Sequence, residues 1–252
     1  MINLSNKVAI ITGGSRGIGR ACVKTFAEAG CNVAFTYNKS QKESDDLINS
    51  LSYTGVKIKA YKCRVENEDE VVETVKKIGE EFGRIDILVN NAGIWEYAEA
   101  DKMKLVDWNR TMNINVTGTM LFTREVIPYM KNQNGGKIIM ITSTAGQRGE
   151  AFHSHYAASK GALISYVKSL STELAPFKIL VNSVAPGWVD TDMCTEVFSD
   201  PEYKEQVRQS IPLKKIATPE DIAGPVLFLA SDLANHITGE ILNVNGGSVL
   251  CG

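Results

Sequence analysis

Several runs in this chain are apolar at every consecutive position, short, and rich in β-branched residues, such as VAIIT (Val8–Thr12) and KIIMIT (Lys137–Thr142). A strand with one wet face alternates apolar and polar residues. A run without alternation needs cover on both faces, which is the condition of a parallel sheet sandwiched between helices. Seven segments, these runs among them, are predicted as strands: Lys7–Thr12, Asn32–Tyr37, Lys57–Cys63, Ile87–Asn90, Lys137–Thr142, Lys178–Val184 and Ile241–Val244. Between them the periodicity predicts helices over Ile18–Ala29, Gln41–Leu51, Asp69–Phe82, Leu105–Met130 and Tyr156–Ala175. Gly30, Gly83 and Pro176 are the expected stop signals. Alternating strands and helices imply right-handed crossovers and a doubly wound α/β sheet with helices on both faces. No linker or repeat divides the 252 residues, so one domain is expected. The polar stretch 190–218, interrupted by Pro201 and Pro212, is a candidate lid.

Composition removes several classes of function. With 27 basic and 29 acidic residues the net charge is −2, without the basic excess expected of a nucleic-acid or anionic-membrane binder. No apolar stretch approaches the roughly 18 residues of a membrane span, and the start of the chain carries no secretory pattern. Cys22, Cys31, Cys63, Cys194 and Cys251 are scattered, with no ligand spacing, which predicts reduced thiols, no metal site and a cytoplasmic location.

The segment Thr12-Gly13-Gly14-Ser15-Arg16-Gly17-Ile18-Gly19 follows a predicted strand and opens a predicted helix. Glycines there permit a tight turn and let the backbone approach a pyrophosphate at the positive end of the helix, the logic of a Rossmann fold. An NAD site places a carboxylate at the end of the second strand to bind the ribose hydroxyls. Here that strand ends in Tyr37, Asn38 and Lys39, with no acid. Arg16 and Lys39 could flank a 2′-phosphate, so NADP(H) is expected in preference to NAD(H).

Tyr156 and Lys160 in YAASK are one helical turn apart and share a face. A phenol has a reference pKa of about 10. A neighbouring cation favours its ionised form, and a nearby hydroxyl, that of Ser143, can share its proton. Such a group can place a proton on a carbonyl oxygen while a hydride reaches the carbon.

Taken in order, TGGSRGIG, NNAG (Asn90–Gly93), NVTG (Asn115–Gly118), Ser143, YAASK, PGWVDTDM (Pro186–Met193) and ITGEILNVNGG (Ile237–Gly247) resemble the short-chain dehydrogenase/reductase family along the whole chain. The resemblance implies a seven-stranded parallel sheet and a dimer or tetramer, with the segment near Gly246 at a subunit interface. It implies Tyr156 as the acid, Lys160 lowering its pKa and holding the nicotinamide ribose, Ser143 holding the substrate carbonyl, and Asn115 holding a water linked to Lys160. It also puts Asn91, Ala92, Gly93 and Val65 on the adenosine side. Pro186, Gly187, Val189 and Thr191 are placed near the carboxamide and phosphates.

Within the family, the closing NVNGG and IPLKKIATPEDIA are most similar to 3-oxoacyl-[acyl-carrier-protein] reductases of fatty acid biosynthesis. That implies a 3-oxoacyl thioester substrate and an acyl carrier protein as a possible partner. Several positions depart from those enzymes. NNAG continues as IWEYAEA, Thr172 and Asn134 stand where basic docking residues are common, and Arg64 replaces an adenine-contacting acid. Trp95, Phe152, His153 and Trp188 are candidate pocket walls, with His153 and His155 expected as loop polar groups rather than catalysts. An alcohol, sugar or small-ketone dehydrogenase of the same family is the alternative. A nucleotide-binding regulator without catalysis is a third reading, against which the full set Ser143, Tyr156 and Lys160 speaks.

Overall fold

The computed structural model describes residues 2–250. Cys251, one of the thiols above, lies outside the described residues. Seven strands form one parallel sheet: β1 (Val8–Ile11), β2 (Asn32–Tyr37), β3 (Ile58–Lys62), β4 (Ile87–Asn90), β5 (Gly136–Ile141), β6 (Ile179–Pro186) and β7 (Ile241–Val244). Their spatial order is β3-β2-β1-β4-β5-β6-β7, so the chain reverses its direction of winding between β1 and β4. In register, Ile10 lies opposite both Ala34 and Leu88, and Met140 opposite both Asn90 and Ser183.

The consecutive apolar runs are explained by two cores, one on each face. Ala9, Ile11, Phe35, Val89, Ile139 and Ile141 point into the first. There they meet Phe26 and Val23 of α1 (Gly17–Glu28) and Ile222 and Val226 of a helix over Pro219–Ala230. Ile10, Ala34, Leu88, Ile138 and Met140 point into the second, against Val71, Phe122 and Val167. These belong to helices over Glu68–Phe82, Gly118–Asn132 and Ser154–Leu174.

In chain order the helices are α1, α2 (Gln41–Ser50), α3 (Glu68–Phe82), α4 (Leu105–Met112), α5 (Gly118–Asn132), α6 (Ala145–Arg148), α7 (Ser154–Leu174), α8 (Pro201–Ser210) and α9 (Pro219–Ala230). Local chemistry sets their ends. Asn67 accepts the Glu70 amide at 3.0 Å to start α3, and Gly83 at φ 76° ends it. Thr218 and Asp221 cap each other's backbone amides ahead of Pro219 to start α9.

Two features differ from the sequence expectation. The helix predicted over Leu105–Met130 is interrupted by a π turn at Asn113–Thr117. The polar stretch 190–218 contains the three turns of α8, capped by Asp200, and buries its own cluster of Cys194, Phe198, Val207 and Ile211. Its two ends meet, since Asp190 donates to the Ala217 carbonyl at 2.9 Å and Ala217 to that of Trp188 at 3.1 Å. Among the described residues, no helix is long and apolar enough to cross a membrane.

Candidate active site

Every strand used by the site presents its C-terminal end to one cleft of about 1050 Å³, opened where the winding reverses between β1 and β4. The cleft runs from Arg16, Asn38 and Lys39 at one end to Trp95, Phe152 and Trp188 at the other, with Ser143, Tyr156 and Lys160 between them.

The glycine-rich turn leaves β1 and enters α1. Gly13 and Gly17 take positive φ, 65° and 52°, a backbone that side chains disfavour. Gly19 does not line the cleft; a Cβ there would overlap the Gly13 carbonyl, so its role is to let α1 close onto the turn. Thr36 at the end of β2 anchors the turn, accepting the Gly13 amide at 3.2 Å on its hydroxyl and the Gly14 amide at 2.9 Å on its carbonyl. From the other side, the Thr12 hydroxyl accepts the amides of Asn91 at 2.9 Å and Ala92 at 3.0 Å. Nothing caps the start of α1, and its first turn carries no acid. Its unpaired amides therefore make a ready seat for a phosphate anion. Arg16 and Lys39 are exposed at this end and form no ion pair among the described residues. Arg64 is drawn away by Glu70, with Nε at 2.7 Å from Oε1 and its amide at 2.7 Å from Oε2. Val65 lines the cleft in its place. This chain's turn, uncapped helix and unpaired cations fit a phosphorylated dinucleotide.

Ser143 follows β5 and is buried, with its Oγ accepting the Ala145 amide at 3.1 Å. It lines the same cleft as Tyr156 and Lys160. The Lys160 ammonium lies 5.6 Å from the Tyr156 ring centre and donates to the Ile141 carbonyl at 2.7 Å. Burial pushes the phenol up from its usual range, with Ser143 pulling it the other way. Burial pushes the Lys160 ammonium down to about 8. Burial is the largest cause of both shifts.

Asn115 does not reach the cleft either. It is fully buried in the π turn, accepting the Ile94 amide at 2.8 Å and donating to the Ile94 carbonyl and Ser159 Oγ, both at 3.0 Å. These bonds tie the segment after β4 to α7, and a widened turn that points Asn115 at Ile94 replaces regular helix. A Cβ on Gly93 would crowd Asn115 Oδ1 at 3.2 Å, so glycine keeps that amide clear.

Trp95, Phe152, His153 and Trp188 converge as an aromatic wall. Trp95 stacks on His153 at 4.1 Å and meets Trp188 edge-on at 5.9 Å, while Phe152 stacks on Tyr97 at 5.5 Å. His155 is not a loop residue. It lies within α7, fully buried, and neither ring nitrogen has a partner. Sequence reasoning missed Glu150, whose Oε1 accepts the Trp95 indole N–H at 3.2 Å. No motif or spacing marks it, because only the fold of the loop 149–153 brings it beside Tyr156.

A family model described as enoyl-(acyl carrier protein) reductase matches residues 13–248. The chain is 39% identical over 246 residues to a 3-oxoacyl-[acyl-carrier-protein] reductase of Aquifex aeolicus, covering 98% of each. It is 40% identical over 242 residues to that of Staphylococcus epidermidis, covering 96% of this chain and 98% of the relative. A solved structure of a putative NAD(P)-dependent gluconate 5-dehydrogenase from Beutenbergia cavernae, with bound NADP, superimposes with a TM-score of 0.92. It is 30% identical, and 98% of each chain is covered.

Proposed function

We propose that this chain, which belongs to the short-chain dehydrogenase/reductase family, is an NADPH-dependent reductase that turns the ketone of a 3-oxoacyl thioester into a secondary alcohol. The observation that carries this reading is that Ser143, Tyr156 and Lys160 line one dinucleotide-shaped cleft, with the Lys160 ammonium 5.6 Å from the Tyr156 ring centre. Two hydroxyls lining one cleft suit a carbonyl oxygen. They favour ketone reduction, as named for the curated relatives, over reduction of the carbon–carbon double bond in the family model's description.

The turn Gly13–Gly19 and the start of α1 hold the pyrophosphate, Arg16 and Lys39 the 2′-phosphate, and Val65 with Asn91–Gly93 the adenosine side. Tyr37 and Asn38 close the cleft beside them, and Pro186, Gly187, Val189 and Thr191 border the nicotinamide. When bound, NADPH supplies the hydride. Ser143 and Tyr156 hold the substrate oxygen, and Tyr156 gives it a proton as the carbonyl carbon is reduced. The phenolate left behind is stabilised by the Lys160 ammonium and reprotonated through Lys160 and solvent. The segment 190–218 acts as a lid on this single catalytic unit. The substrate arrives as a thioester, on an acyl carrier protein or a smaller thiol, and the enzyme works in the cytoplasm as a homotetramer or homodimer.

Loss of the NADPH absorbance band with acetoacetyl thioester tests the reading. Tyr156→Phe keeps the shape and removes the proton, so turnover should fall by about 100-fold or more while NADPH still binds. Undiminished turnover in that variant would defeat the assignment.

A further inference from the structure

Beyond Tyr156 the cleft is closed by the loop 149–153, which adopts an unusual backbone. Gly149 and the non-glycine Phe152 both take positive φ, 79° and 63°. For a bulky residue this conformation costs free energy and persists only where the surroundings impose it. Two contacts do so: the Ala98 amide donates to the Phe152 carbonyl at 2.8 Å, and the Tyr97 ring stacks on that of Phe152.

The product of this arrangement is the placement of Glu150. Its Oε1 is occupied by the Trp95 indole N–H and lies 3.8 Å from His153 Nδ1. His153 Nδ1 in turn sits 3.1 Å from the Ala151 carbonyl, which keeps that nitrogen as the donor. Oε2 takes no hydrogen bond from any described residue. Glu150 lines the same cleft as Tyr156 and as Cys194 of the opposing segment. Its side chain is 24% exposed, and partial burial raises its pKa.

A partly buried carboxylate with a spare oxygen facing the cleft is a poor wall for a purely hydrocarbon chain. It is a favourable one for a ligand that donates a hydrogen bond to it. We propose that Glu150, held by Trp95 and His153, is a specificity residue that accepts a hydroxyl of the substrate, and that the enzyme reduces polyhydroxylated ketones as a further substrate class. This inference rests on the ketone-reductase reading and widens it. The reaction is the same in balance: the ketone gains a hydride at carbon and a proton at oxygen, NADPH becomes NADP⁺, and the additional hydroxyls are unchanged.

The test compares erythrulose with butanone, a polyhydroxylated and a plain ketone of equal carbon number, with acetoacetyl thioester as a third substrate. The readout is the ratio of kcat/KM for erythrulose to that for butanone, which cancels any general loss from imperfect folding. The wild-type ratio should exceed one by about 10-fold or more, as expected for one charge-assisted hydrogen bond. In Glu150→Leu the ratio should collapse toward one, and in Glu150→Gln, which keeps an acceptor oxygen, part of it should remain. A second variant, Trp95→Phe, frees Oε1 and removes the anchor, and should lower the ratio less than Glu150→Leu. A wild-type ratio near one, or equal losses on both ketones in Glu150→Leu, would overturn the Glu150 assignment. If acetoacetyl thioester is still reduced in that case, the ketone-reductase reading survives; if nothing is reduced, both readings fall.

Discussion

Arg16 and Lys39 show how much a single side chain can decide without touching anything. Both are exposed at the edge of the cleft, and neither is neutralised by a carboxylate. A hydrogen bond to a charged phosphate contributes about 1.5–3 kcal/mol where it forms. Replacing both by Ala should therefore raise the Michaelis constant for NADPH by about 10-fold or more and leave that for NADH nearly untouched. Steady-state kinetics with the two cofactors checks this, and equal effects would remove the 2′-phosphate from the argument. His155 illustrates the reverse case, a polar side chain with no partner for either ring nitrogen in the interior. Its pKa is lowered, chiefly by burial and then by His153. The unfolded chain thus takes up a proton just below the usual histidine value that the folded chain does not, and stability is lost as pH falls through that window. His155→Leu should flatten this acid limb and raise the urea midpoint at pH 6. A steeper acid limb in the variant would contradict the account.

At the scale of elements, the glycine-rich turn and the segment 190–218 act on opposite ends of the cleft. Gly19→Ala puts a methyl group into the Gly13 carbonyl, so the turn must open before α1 can pack. The expected outcome is a rise of about 10-fold or more in the NADPH dissociation constant, read by fluorescence titration. The segment 190–218 is closed at its base where Val189 pairs with Ala217 and keeps its shape through Phe198, which packs on Trp188 at 5.5 Å. Phe198→Ala should loosen it, raising the substrate KM several-fold while kcat changes less. A fall in kcat alone would speak against a lid. The helix starts and stops of α1, α2, α3 and α7 were legible because each rests on neighbours in sequence. The π turn was not, since Asn115 leaves the regular helix to bond Ile94, on a different element. The signals of α9 were present as Thr218, Pro219 and Asp221, but within a stretch read for its likeness to relatives rather than for its caps.

On the scale of the whole molecule, the order of strands brings the segments after six strands to one edge and buries Lys160 beneath them. Lysine ordinarily titrates near 10.5, and here burial takes it down to about 8. Below pH 8 the ammonium is present in both states and the penalty for burying it is complete. Between the two values the unfolded chain holds a proton that the folded chain does not, so stability rises with pH across that window. At about 1.4 kcal/mol per unit, the whole shift corresponds to roughly 3 kcal/mol. Lys160→Met should lose this rise, so its stability gain over the wild type should shrink between pH 8 and pH 10 in denaturant titrations. The sequence by itself determined the sheet, its parallel sense and the dinucleotide turn, because each follows from the period of apolar residues and from glycines close together in the chain. It also marked Ser143, Tyr156 and Lys160 through their resemblance to a family. Only the tertiary structure decided which groups are dry and which face each other. That is why the raised phenol, the depressed ammonium and the placement of Glu150 came from packing: desolvation depends on what surrounds a group in space, and no local pattern encodes it.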